Sequence, residues 1–182
     1  MGNRILIFFL SCLGLLGSCK KSPAEDWIDF EDEYKEYITI SKSDTLIMGD
    51  LRFQINWDQQ LVPNENLGFL SGIKRMDIYN ENILVNTFEN IEDVSGLGEI
   101  DIRFYDFNMD GELDFSLPLD IGKNRWDKYF IYNKKTNKFQ HQPSWDYLRI
   151  QKINPKKKSI LSQPDGTDPG KIYFIGGDKL IN

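Results

Sequence analysis

The chain has 182 residues, with 22 Lys and Arg against 28 Asp and Glu, a formal net charge of −6 and one His. That acidic balance argues against nucleic acid, which needs a basic stripe. Two Cys, Cys12 and Cys19, give no disulfide framework, and the length suits one domain with a real core.

Residues 1–18 read as a signal segment. Arg4 is a minimal charged start, and Ile5 to Leu16 is an apolar run of 12 residues, too short to span a bilayer as a helix. The run ends in Leu16-Gly17-Ser18-Cys19, which resembles the bacterial lipoprotein box. The resemblance implies acylation of the Cys19 thiol and cleavage before it, giving a stable anchor, because several acyl chains hold where one is marginal. Lys20 stands where enterobacterial lipoproteins retained in the inner membrane have Asp. Outer-membrane anchoring is therefore expected, on the periplasmic or cell-surface face. Removing residues 1–18 leaves 164 (182 minus 18) and takes the net charge from −6 to −7, since Arg4 goes and no acidic residue does. No free thiol, disulfide or Cys-based zinc site then remains.

Residues 19–25 read as a lipidated tether, and 26–182 as one domain. Trp27, Phe30, Tyr34 and Tyr37 recur at helical spacing and predict a short amphipathic helix. Strands are expected at Ile38–Ile40 and at Leu51–Trp57, where Phe53, Ile55 and Trp57 share one face. Asp58–Gly72, with Pro63, Asn64, Asn66 and Gly68, is expected to be the longest irregular stretch. Ile73–Tyr79 and Ile83–Phe88 flank Asn80-Glu81-Asn82, a hairpin turn. Asn90–Gly98 reads as a loop.

Ile100, Ile102 and Phe104 then alternate with Asp101, Arg103 and Tyr105, which predicts a half-buried strand. Asp120–Trp126 reads as a functional loop, followed by a hairpin of Tyr129–Tyr132 with Lys138–Gln140. Leu148–Ile153 and Ile160-Leu161 are expected strands around an Asn154–Lys158 turn, and Ile172–Ile175 with Lys179–Ile181 form a terminal hairpin. The sum is an all-β, mainly antiparallel domain: a sandwich or partly open barrel, with a short N-terminal helix.

Asp106-Phe-Asn108-Met-Asp110-Gly111-Glu112-Leu-Asp114 is the most specific motif. Oxygen side chains fall at positions 1, 3, 5 and 9, Gly111 at position 6 permits a sharp bend, and Glu112 at position 7 offers its main-chain carbonyl. Calcium takes 6–8 oxygens, so Asp106, Asn108, Asp110, Glu112 and Asp114 are candidate ligands. Leu117 at position 12 and the strand-like flanks rule out an EF-hand. The unit is strand–calcium loop–strand, similar to the loops of integrin-type propeller blades. The competing reading is an Asp/Asn-Gly turn with solvated carboxylates.

One His with no thiol leaves no Cys/His pair, and no Gly-x-Ser-x-Gly elbow occurs. His141 reads as an ordinary surface or hairpin residue, and no enzyme is expected. Trp57, Trp126 and Trp145 are core or sugar-stacking rings; Trp126 and Trp145 exposed on one face would favour glycan binding.

The run Ile73–Val85, the loop Tyr105–Phe115, Tyr129–Phe139 and Ile153–Ser162 together resemble a family of bacterial lipoproteins typified by the xanthomonad type IV effector-immunity lipoprotein. That family's fold is similar to periplasmic inhibitors of invertebrate-type lysozyme. The resemblance covers about residues 70–182, and its best motif falls on Asp106, Asn108, Asp110 and Asp114. It implies a calcium-binding envelope protein that blocks a cell-wall hydrolase or other antibacterial effector. Asn124 and Trp126 are the expected partner contacts. The alternative is a surface glycan-binding lipoprotein of a polysaccharide-uptake system.

Overall fold

A computed structural model describes residues 26–33, 35–89, 91, 95–119, 126–163 and 169–181. The signal segment, Cys19, the tether, Tyr34 and Asn124 lie outside the described residues. The described strands pair antiparallel throughout and assemble into three sheets.

The central sheet contains β2 (Glu36–Ile40), β8 (Ile100–Tyr105), β9 (Asp114–Pro118), β10 (Asp127–Asn133) and β11 (Lys138–His141), in the order β11-β10-β9-β8-β2. A second sheet is built of hairpins, β3 (Asp44–Met48), β4 (Leu51–Asn64), β5 (Gly68–Asn80) and β6 (Ile83–Glu89), with β7 (Ser95–Gly96) also on β5. The third runs β1 (Ile28–Asp29), β12 (Ile150–Asn154), β13 (Ser159–Ser162), β14 (Lys171–Gly176) and β15 (Lys179–Ile181). The sheets do not close into a barrel; the arrangement is a layered sandwich.

Period-2 alternation explains how one sheet serves two cores. On β10, Phe130 faces the hairpin sheet while Tyr129 and Ile131 face the third sheet. The first core packs Phe53, Ile55, Ile73, Met76 and Ile78 against Ile102, Phe104, Phe115 and Phe130. Phe115 stacks on Phe130 with centroids 4.6 Å apart and meets Phe53 edge-on at 5.6 Å, both favoured aromatic geometries. The second core gathers Phe30, Phe107, Tyr129, Trp145, Ile153 and Ile160. Each such buried side chain contributes about 1.5–3 kcal/mol, so the layers are held chiefly by apolar burial.

Three expectations need correction. Among the described residues the N-terminal helix is reduced to a 3-10 turn at Phe30–Asp32, between β1, which pairs with β12, and β2. Pairing of Ile28 with Ile153 and of Ile38 with Ile102 overrides the helical spacing. Asp58–Gly72 is not irregular, because β4 and β5 continue through it to a tight hairpin. There Asn64 Oδ1 accepts the N–H groups of Asn66 and Leu67, both at 3.0 Å, and Gly68 takes φ +80°. The polar run Asp58-Gln59-Gln60 is absorbed by a register shift between Asp58 and Val62. Lastly, β8 is not half-buried: Arg103 on its supposed solvent face is buried beneath the third sheet's layer.

Candidate functional site

The loop between β8 and β9 is wrapped by its own side chains. Asp106 accepts from the Asp110 N–H (2.9 Å) on Oδ1 and from the Gly111 N–H (2.8 Å) on Oδ2. Asn108 Oδ1 accepts from the same Asp110 N–H at 3.2 Å, and Asp110 Oδ1 accepts from the Glu112 N–H at 2.9 Å. Asp106 and Asn108 therefore bring two oxygens to one side of a shared amide. Met109 (φ +57°) and Gly111 (φ +91°) supply the left-handed turns that make the wrap.

Asp114 stands apart from this group. It is fully buried, and its Oδ2 accepts from the Phe107 N–H (2.9 Å) and the Asn108 N–H (3.4 Å). Its Oδ1 accepts from the Tyr132 N–H of β10 at 2.8 Å. The carboxylate thus clasps the loop to the neighbouring hairpin. Burial pushes its pKa well above the ordinary carboxylate value, main-chain donors oppose this, and the charges of Asp106 and Asp110 push it further up.

Among the described residues no three carboxylate, imidazole or thiol side chains are grouped to hold a metal ion. The predicted set therefore divides. Asp106, Asn108 and Asp110 share one turn, with the main chain of Glu112 after them, whereas Asp114 turns inward. The Glu112 side chain is bonded instead to Lys134 Nζ at 2.9 Å, and the same ammonium donates to the Asp110 carbonyl at 3.3 Å. Donors confined to oxygen suit a hard cation such as calcium and no soft metal.

Toward the end of β9 away from this loop lies a second group that sequence spacing did not disclose. Arg103 on β8 and Asp127 on β10 form a buried ion pair, Nη1 to Oδ2 at 3.3 Å. Trp126, directly before Asp127, is half-buried and touches the ring of Tyr147, with centroids 6.0 Å apart. Tyr147 is 62% exposed and takes φ +64°, an uncommon conformation for an aromatic residue. Trp145 is fully buried, its Nε1 donating to the Asp178 carbonyl at 3.0 Å, so it offers no ring to a sugar. Trp57 is likewise core. His141 ends β11, in the expected hairpin, but is not isolated: its Nε2 lies 2.8 Å from Asp146 Oδ2.

Residues 24 apart, such as Arg103 and Asp127, carry no local signal of pairing; only the β8-β9-β10 order brings them together. Compared with known proteins, the chain matches no family profile, no curated protein and no solved structure.

Proposed function

We propose that the chain is an outer-membrane lipoprotein, anchored through Cys19, that binds and neutralises a protein partner in the cell envelope. The partner class is a peptidoglycan hydrolase or another antibacterial effector. A calcium ion held by Asp106, Asn108, Asp110 and the Glu112 carbonyl would neutralise the carboxylates of the β8–β9 loop and stiffen the hairpin. The motif resemblance to immunity and lysozyme-inhibitor lipoproteins supports this reading.

The observation that carries it is the aromatic pair Trp126–Tyr147. Each ring is joined to a buried anchor: half-buried Trp126 to Asp127, ion-paired with Arg103, and exposed Tyr147 to the segment after Trp145. Interface hot spots are enriched in Trp and Tyr, and binding is tighter where such rings are held before the partner arrives. Trp126 and Asn124 would contact the partner and block its cleft.

The test is capture. Detergent-solubilised full chain, immobilised and exposed to envelope and secreted fractions in calcium and then in chelator, should retain a hydrolase or toxin identifiable by mass spectrometry. Trp126→Ala with Asn124→Ala should weaken retention at least about tenfold, the scale of one lost hot spot. Unchanged retention in that double variant would remove Trp126 from the interface.

A further inference from the structure

A cleft of about 400 Å³ opens between the central sheet and the segment entering β12. Its lining includes Glu31, Tyr37, Arg103, Asp127, Arg149 and Gln151. We propose that this cleft binds a short saccharide. The inference does not rest on the protein-partner reading; both share the Arg103–Asp127 pair, but this one turns on Glu31, Tyr37, Arg149 and Gln151, which that reading leaves aside.

The volume lies within the roughly 300–1,000 Å³ typical of small-molecule sites. The floor is fixed before any ligand arrives. Arg103 and Asp127 are both buried and paired at 3.3 Å, and the guanidinium lies 5.2 Å from the Tyr37 ring and 5.8 Å from the Phe30 ring. The walls carry exposed Arg149 and Glu31, and half-buried Gln151.

The donor and acceptor inventory selects the ligand chemistry. Guanidinium groups only donate, carboxylates only accept, and a carboxamide does both. A phosphate or carboxylate ligand would meet Glu31 and Asp127 as like charges, and a cation would meet Arg103 and Arg149. An apolar ligand would strip water from the exposed charges of Glu31 and Arg149 with nothing in return. A hydroxyl is at once donor and acceptor, so a polyhydroxylated ligand is the class that can use every polar group present.

Aromatic surface completes the match. Tyr37 is 44% exposed at one wall. Leu148 also lines the cleft, and its chain neighbour Tyr147 packs on Trp126, the chain neighbour of Asp127. That pair stands outside the cleft lining, so the ring face offered to the C–H surfaces of a sugar is that of Tyr37.

The experiment is calorimetric titration of the detergent-solubilised full chain with chitotetraose, cellotetraose and mannotetraose, with inorganic phosphate as the anion control. At least one tetrasaccharide should bind with a Kd below about 1 mM. Arg149→Ala and Glu31→Gln should each weaken it about tenfold or more, the usual size of a lost charged hydrogen bond. Both positions are exposed, so folding is not at issue, and Ile83→Ser at the far β5–β6 turn should leave binding unchanged. Absence of binding by all three sugars overturns the proposal. So does unchanged affinity in both variants, or phosphate competing with the sugar through Arg149, which would make the cleft an anion site. Failure here leaves capture of a protein partner through Trp126 untouched.

Discussion

Asp114 shows how one carboxylate can organise a loop without standing in its centre. Its oxygens accept from the main chain at Phe107, Asn108 and Tyr132, so removing it strands buried N–H groups on two hairpins. Each stranded donor costs about 1–3 kcal/mol, and Asp114→Ala should lower stability by about 3 kcal/mol or more, read as a fall in the urea midpoint. Asp77 is a more exposed case. The Arg75 Nε–H at 2.8 Å, then the Thr87 hydroxyl at 2.6 Å, hold its pKa below the ordinary 3.8. A lowered folded-state pKa gives stability that is present above 3.8 and is lost as pH falls through the folded value. Asp77→Asn should therefore flatten the acid limb of the stability profile below about pH 4 and leave its shape near neutrality unchanged. Denaturant midpoints measured across the acid range would show it.

At the scale of elements, local turn chemistry was the legible part. Glu81 and Asn82 both adopt positive φ, +47° and +69°, the pattern of a type I′ hairpin turn, and the Asn80-Glu81-Asn82 run marked it in advance. Glu is a poor occupant of that conformation. Glu81→Asn with Asn82→Gly should raise the thermal midpoint, with a gain of about 0.5–1 kcal/mol, because both sites are solvent-exposed turn positions. A lower midpoint would show that the Glu81 side chain does more than close the turn. The wrapped turn of the Asp106–Asp114 loop was legible for the same reason: its acceptors and its Gly lie within one turn of sequence. What stayed hidden depended on partners far along the chain. Ile28–Asp29 joins β12, more than 120 positions away, and residues 58–64 continue as a strand because the register shift removes their polar side chains from the apolar period. The Arg103–Asp127 pair was hidden by layering, since alternation marks two faces of a strand but not whether a further layer covers the second.

Across the whole molecule, the central sheet is what joins structure to the proposed function. It is covered on both sides, and four of the five residues of β9 are buried. The candidate calcium loop precedes this most enclosed strand, and the aromatic pair Trp126–Tyr147 lies where β10 begins. A cation bound by the folded loop and not by the unfolded chain must raise overall stability by mass action. With a Kd near 10⁻⁴ M, about 10 mM calcium would add about 2.7 kcal/mol, or roughly 5–10 °C in a domain of this size. The most direct test is the thermal midpoint of the chain and of Asp110→Ala, each in about 10 mM calcium and in chelator. The account predicts a calcium-dependent rise of that order in the parent chain and none in Asp110→Ala. No rise in the parent, or the same rise in Asp110→Ala, would contradict a calcium-held loop.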